Sequence, residues 1–344
     1  MSIIYSKTSG TSDAQIGRLE TPIRMVIEHE SDLLTKAGGV RDWLFNVESS
    51  NRFGETLVGQ NEFDVFRATA EGAEASPDSM RETYKKFIEH IQFTKEFTVT
   101  AEMMEDAQYG VAADTKRRAE NFTRAYYKTQ NRICEYALSN GDKASGVFAG
   151  ATLDLTAPDG KPLFASDHAY GAGELAGTQS NFFYGDIFAD TASFENALSE
   201  LAVRLRNMKD ENGDPLGYTA DTLILPGNRP AAERIAKKVC GSEGATGNGY
   251  NDINLQYGNF RVIVLPTWQT SDDRVMIMSS DANKNLSGNM FFNRIPLSVS
   301  SWVDHHTGNY VWNGRCRFGV GFGSYKHILL AVGSAAAVSG ASAL

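Results

Sequence analysis

The 344-residue chain has little cysteine, little proline and no long apolar run. Its three cysteines, Cys134, Cys240 and Cys316, are far apart and form no CxxC pair. That excludes a zinc knuckle or a disulfide framework and fits a reducing compartment. No stretch approaches the ~20 apolar residues of a membrane span. The start lacks a basic region followed by an apolar segment, so no secretory signal is read, and a soluble protein made in a cytoplasm is expected. Positive charge is also scarce: 33 Lys and Arg face 42 Asp and Glu, a formal charge of −9. That balance argues against a protein that wraps DNA or RNA, because phosphate binding is driven by clustered cations. Neither a GxxxxGK[ST] phosphate loop nor a G-x-S-x-G nucleophile elbow occurs. What remains is ordinary globular composition, 42% hydrophobic and 22% charged, enough for one large or two modest domains without staples.

Residues 1–50 read as an extended arm. Ser, Thr and Gly dominate the stretch up to Gly17. A short amphipathic piece over 31–45, with Leu33, Leu34, Val40, Trp43 and Leu44, is interrupted at Gly38-Gly39. Residues 51–97 read as a two-stranded excursion. Phe53, Leu57, Phe63, Val65 and Phe66 form the outgoing strand, an acidic Gly- and Pro-containing turn spans 71–78, and the return runs through Phe87, Ile91, Phe93, Phe97 and Val99. Such a hairpin is marginal in water alone and needs another chain to rest on. A long helix follows, with Thr100 as N-cap, Glu102 and Glu105 in its first turns, and Ala119, Phe122, Tyr126, Thr129, Ile133 and Ala137 on one face; Asn140-Gly141 stops it. If continuous from Thr100 it is roughly 60 Å long at ~1.5 Å per residue, implying an elongated subunit, and Gly110 is a possible break. Residues 141–185 are loop-rich. Helices are expected over 192–208 and 231–239. Strands are expected over 222–225, 261–265, 275–278 and 328–332, with 297–303 and 310–318 paired around a turn at 304–309.

The chemistry-bearing residues are sparse. His305-His306, beside Asp304, is the only histidine cluster. Adjacent residues on a strand point to opposite faces, so an exposed turn is the plainer reading than a metal site. Asp167-His168 could be half of a triad, but no partner completes it. Gly319, Gly321 and Gly323 give G-x-G-x-G at a strand end, and 241–249 is Gly-rich; both read as flexible loops. Arg117, Arg124 and Lys128 form a basic stripe on the long helix. It reads as a solvated face, paired with Glu120, or as a mildly cationic surface toward nucleic acid or a neighbouring subunit. Glu71, Glu74 and Asp78 make the hairpin tip acidic, suited to docking on basic residues next door or simply to solubility. No catalytic, cofactor-binding or metal-ligating residue is assigned.

At this point the chain resembles the tailed-phage major capsid proteins of the Hong Kong 97-like fold, near the Mu-like major head subunits. Tyr84-Lys85-Lys86-Phe87, Phe93-Thr94-Lys95-Glu96-Phe97-Thr98-Val99-Thr100-Ala101-Glu102-Met103 and Glu105-Asp106 are similar to that family's passage from hairpin into spine helix. Asp159-Gly160-Lys161-Pro162-Leu163-Phe164-Ala165-Ser166-Asp167-His168 resembles its D-G-x-x-L-F-x-x-x-H segment. Lys209-Asp210-Glu211-Asn212-Gly213, Leu223-Ile224-Leu225-Pro226 and Val264-Leu265-Pro266-Thr267-Trp268 match later landmarks in order.

The resemblance implies an α+β fold: an N-terminal arm (1–50), an extended loop (51–97), a peripheral domain with the spine helix (98–185 and 285–321) and an axial domain (186–284 and 322–344). It implies a structural, non-enzymatic subunit forming pentamers and hexamers of an icosahedral shell around double-stranded DNA, in the virion and, during assembly, the host cytoplasm. Inter-subunit contacts are expected at Phe63, Phe66, Glu71, Glu74, Asp78, Arg81, Lys85, His305, His306 and Asn309, and a lumen-facing stripe at Arg117, Arg124 and Lys128. Partners would be the chain itself, with scaffolding, portal and decoration proteins, and weak non-specific contact with the packaged DNA. No cofactor or membrane is implied, and Lys–Asn cross-linking through Lys85, Lys86, Lys95 or Asn309 is not expected. Two other readings stand beside it: an encapsulin-type nanocompartment shell, which uses the same fold but houses an enzyme cargo, and, third, a metal-dependent hydrolase using His168, His305 and His306.

Overall fold

A computed structural model describes residues 4–5, 14–60, 66, 68–69, 71–72, 74, 82–100, 102, 111–170, 177–244 and 254–344. After a short strand β1 (Ile4–Tyr5), the segment expected as an extended arm is a helix, α1 (Ala14–Ala37). Gly17 and Pro22 lower its intrinsic propensity, and tertiary contacts override them. Ile23 and Ile27 are buried. Glu30 pairs with Arg124 at 2.5 Å, and Ser31 and Thr35 both hydrogen-bond the Tyr127 hydroxyl at 2.7 and 2.9 Å. The helix ends where the sequence predicts a break: Gly38 takes φ +66 and its N–H reaches Leu34 O at 3.2 Å. A one-turn helix, α2 (Val40–Leu44), and strand β2 (Asn46–Ser49) follow.

Strands β3 (Gly54–Gln60) and β4 (Glu82–Glu89) pair antiparallel as the expected hairpin, but the return strand is divided at His90. Beyond it, β5 (Ile91–Val99) leaves the hairpin and pairs with β15 (Tyr310–Phe322), which in turn pairs with β14 (Asn289–Val303). The division follows from hydrogen bonding. Phe53 O accepts from His90 Nδ1 at 2.8 Å, and His90 O accepts from Arg317 Nε at 3.1 Å, which turns the chain from one sheet to the other. β1 and β2 both add to the outer edge of β14, giving a five-stranded sheet. Its aromatic rows are legible in the alternation of β5: Phe93 stacks on Phe318 at 4.7 Å, and Phe97 on Trp312 at 5.2 Å.

The G-x-G-x-G stretch is not a flexible loop. Gly319 and Gly321 lie inside β15, directly beneath the hairpin root. A Cβ on Gly319 would sit 2.8 Å from Glu89 O, and one on Gly321 2.6 Å from Ile88 Cδ1. These glycines let the hairpin approach the sheet closely. The other glycine stretch begins at the end of α5 (Pro230–Gly241), and its residues 245–249 lie outside the described ones.

The long helix is α3 (Val111–Ser139), 29 residues and about 44 Å at ~1.5 Å per residue. Thr100 is exposed and precedes a helical Glu102, but 101 and 103–110 fall outside the described residues, and with them the break expected at Gly110 and the continuity of the helix from Thr100. Of the predicted face, Ala119, Phe122, Tyr126, Ile133 and Ala137 are buried, and Thr129 is half-buried. Two small antiparallel pairs occupy the loop-rich region: β6 (Ser145–Phe148) with β7 (Ala151–Asp154), and β8 (His168–Ala169) with β9 (Thr178–Gln179).

The rest builds a six-stranded mixed sheet. It comprises β10 (Phe182–Gly185), β11 (Thr222–Pro226), β12 (Arg261–Leu265), β13 (Asp273–Met278), β16 (Ile328–Gly333) and β17 (Ser342–Ala343), in the order β12-β11-β13-β16-β10-β17. Period-two alternation splits its side chains between two cores. Leu223, Leu225, Val275, Ile277, Leu329 and Ala331 face α4 (Thr191–Arg206) and α5. Ile224, Met276, Met278, Ile328, Leu330 and Val332 join α3 and the five-stranded sheet in the larger core. Burial on both faces is why these strands read as continuous apolar runs. A last short helix, α6 (Ser280–Asn285), capped by Ser279 Oγ, links β13 to β14. All three cysteines are buried and unpaired.

Candidate assembly surfaces

The hairpin's two faces differ in chemistry. Cross-strand pairs Leu57–Lys86 and Glu55–Ile88 share the inner face. Ile88 packs with Met290 and Phe292, and Leu57 joins them. Lys86 Nζ is bonded to Asp154 Oδ2 and lies 2.5 Å from Thr156 Oγ1, so the hairpin is latched to β7. The alternate positions point away: Phe87 lies 6.4 Å from Phe53 in a stacked pair, with Val58 and Lys85 beside them. Phe53 is 60% exposed, Phe87 50% and Val58 41%, on the outer face of a two-stranded element. Arg317 lies over the Phe53 ring at 5.1 Å and steadies it from the side.

The latch is pH-sensitive. Partial burial opposes ionisation of Asp154, but hydrogen bonds from Lys86 and Thr156 outweigh it and lower its pKa below the usual aspartate range. A carboxylate with a depressed folded pKa contributes stability that is present above the unfolded value of ~3.9 and lost as pH falls through the folded one. Protection factors of the β4 amides, corrected for the intrinsic pH dependence of exchange, are therefore expected to hold from pH 7 to 5 and to fall below about pH 4, and Lys86→Met is expected to lower them between pH 5 and 7. Unchanged exchange in the variant would remove the latch.

Of the expected contact residues, Phe66, Glu71 and Glu74 are exposed, Lys85 lies on the hairpin's outer face, and Phe63, Asp78 and Arg81 fall outside the described residues. His305 and His306 are exposed in the turn between β14 and β15, and Asn309 is half-buried there. The turn is built by Asp304, whose carboxylate accepts from His306 N at 3.1 Å and Thr307 Oγ1 at 2.7 Å, with Gly308 at φ +70. His168 shares no partner with either. It is fully buried, stacked on Tyr325 at 3.9 Å, with Nδ1 2.6 Å from Asp159 Oδ2 and Nε2 3.2 Å from Leu163 O. It fastens the segment 159–168 to the core. Among the described residues no three or more His, Cys, Asp or Glu side chains are placed to hold a metal ion.

Arg117, Arg124 and Lys128 are exposed along α3, opposite the buried Phe122 and Tyr126, and Lys116 and Arg132 extend the stripe. Arg124 pairs with Glu30 of α1 rather than with Glu120. A sequence reading misses that partner because it is 94 residues away. It also misses the outward role of Phe53 and Phe87. Alternation shows that β4 has two faces but not which one the body covers. Among the described residues, no helix is long and apolar enough to cross a membrane.

The comparisons agree with this architecture. The family model described as "Phage capsid protein" matches residues 83–331. The structure titled "Capsid structure of the Cyanophage P-SCSP1u" is similar at TM-score 0.53 and 8% identity, over 85% of this chain and 87% of that one. A structure titled "Mycobacterium phage Patience" is similar at TM-score 0.50 and 12% identity, over 98% of this chain and 94% of that one. No curated protein matches the chain. The chain belongs to the phage capsid protein family, as a structural head subunit of the Hong Kong 97-like α+β fold that associates with its own copies into the shell of a virion.

Proposed function

We propose that copies of this chain form pentamers and hexamers of an icosahedral shell around double-stranded DNA, each hairpin lying on a neighbour. The observation that carries this reading is the outward Phe53–Phe87–Val58 face, with Phe66 fully exposed beyond it. Contiguous exposed aromatics on a projecting two-stranded element mark a surface that another chain covers. In this reading α3, β14 and β15 form the body of the peripheral domain (98–185 and 285–321), to which β1, β2 and β5 add from outside that range. The six-stranded sheet with α4 and α5 forms the axial domain (186–284 and 322–344), β10 joining it from residues 182–185. The His305-His306 turn meets neighbours near threefold positions, with Asn309 at its base. The stripe of Arg117, Arg124 and Lys128 faces the lumen and touches DNA weakly, since a net charge of −9 keeps the wall from adhering to its genome. Assembly takes place in the host cytoplasm with scaffolding and portal proteins, decoration proteins bind the finished head, and the chain has no catalytic role.

Deleting residues 72–81 tests the role of the tip. Purified full-length protein is expected to give closed particles by negative-stain microscopy. The deletion is expected to lower their yield by about tenfold while far-UV circular dichroism stays unchanged, because the removed residues serve the neighbour rather than the fold. Equally robust particles from the deleted chain would remove the tip's role. Particles filled with protein and devoid of nucleic acid, when made beside the packaging machinery, would favour a nanocompartment instead.

A further inference from the structure

A second charged surface lies on α5. Its buried side, with Ala232, Ala236, Val239 and Cys240, is turned to the six-stranded sheet. Its outer side presents Arg234, Lys237 and Lys238, all exposed, over an open cleft of about 430 Å³ lined by Pro230, Glu233, Arg234, Lys237 and Lys238. Lys237 is held by Glu233 at 2.5 Å. Arg234 and Lys238 have no ion-pair partner among the described residues, and they lie one helical turn apart, with their Cβ atoms about 6 Å from each other. This shallow outer face therefore offers two cations without an ion-pair partner among the described residues.

The hairpin tip carries the complementary charge. Residues 61–81 hold Glu62, Asp64, Glu71, Glu74 and Asp78 against Arg67 and Arg81. Glu71 and Glu74 are exposed, and Gly72 takes φ +83. Two exposed carboxylates three residues apart are the charge complement of two cations on one helical turn. On the α3 stripe Arg124 is already paired with Glu30, and the shell reading turns the remaining cations toward the lumen.

We propose that the acidic tip of one copy's hairpin seats in the α5 cleft of a neighbouring copy, with Glu71 and Glu74 facing Arg234 and Lys238. The proposal rests on the shell reading and names the receptor for the tip. Such rim pairs set register and partner choice more than affinity, and they weaken with salt.

Charge exchange tests it. E71K/E74K and R234E/K238E are each expected to cut particle yield about tenfold at low salt, with a smaller loss at high salt, while both chains stay folded by circular dichroism. The chain carrying all four changes is expected to recover wild-type yield. A mixture of the two double variants is expected to recover in part, because each tip then finds an opposite charge on the other kind of copy. Failure of the fourfold variant to recover would overturn the pairing. Recovery in the fourfold variant but none in the mixture would place the contact within one chain and overturn docking between copies. If wild-type protein makes no particles at all, the shell reading itself fails, which separates the two outcomes.

Discussion

Lys326→Met is expected to destabilise the chain by about 3–5 kcal/mol. Lys326 Nζ and Glu211 Oε1 are 2.9 Å apart, and the two side chains are only 5% and 10% exposed. The surroundings sharpen the effect. Burial pushes the Tyr84 hydroxyl well above its usual pKa, and the negative charges of Glu211 and then Asp159 push it further; the Tyr325 hydroxyl is raised as well, chiefly by burial. With the ammonium gone, Glu211 is left only 10% exposed and without its ion-pair partner. The cost is that of an uncompensated buried ion, not the net worth of the pair. Lys326→Met with Glu211→Leu removes both charges and should return to within about 1 kcal/mol of wild type. Urea denaturation followed by far-UV circular dichroism measures both. The midpoint of the single variant should fall by about 1 M, given the steep denaturant dependence of a chain this long. A single-variant cost below about 1 kcal/mol would show that Glu211 finds water when Lys326 is absent.

Acid is expected to destabilise the chain through His327. Its ring is fully buried, and Nε2 lies 2.9 Å from Asn289 Oδ1. Asn289 Nδ2 donates to Leu44 O at 3.0 Å, so Oδ1 is the acceptor toward the ring and Nε2 carries the proton of a neutral imidazole. Burial disfavours the second proton and lowers the pKa from 6.5 to about 3. Above pH 6.5 both folded and unfolded states are neutral at this residue and nothing is lost. Below it the unfolded chain takes up a proton that the folded chain refuses. Stability then declines by about 1.4 kcal/mol per pH unit until the pH reaches the folded value. At pH 4.5 the loss is about 3 kcal/mol. His327→Gln keeps a donor for Asn289 and cannot titrate, so the difference in stability between wild type and variant should change with that slope between pH 6 and 3.5. A pH-independent difference would show that the ring is not held neutral.

Much of the fold is written locally. The α3 face from Ala119 to Ala137, the α4 register of Phe194, Leu198, Leu201 and Leu205, and strands such as β12 are periodic enough to be read without tertiary knowledge. The break at Gly38 is equally visible, because a positive φ at a helix end favours glycine. The missed elements are those whose reason lies elsewhere in the chain. α1 is helical despite Gly17 and Pro22 because Tyr127, Arg124 and the apolar face of α3 hold it. The division of the return strand at His90 depends on Phe53 and Arg317. Gly319 and Gly321 look like a loop signature until Ile88 lies over them.

The candidate surfaces divide in the same way. The acidity of the hairpin tip and the basic residues of α3 are properties of the sequence alone, since charge does not depend on folding. Which side of β4 faces outward, which arginine is already neutralised, and that Arg234 and Lys238 share a cleft are decided only in three dimensions. Exposure and pairing are relations between residues far apart in the chain, and local periodicity carries no information about them.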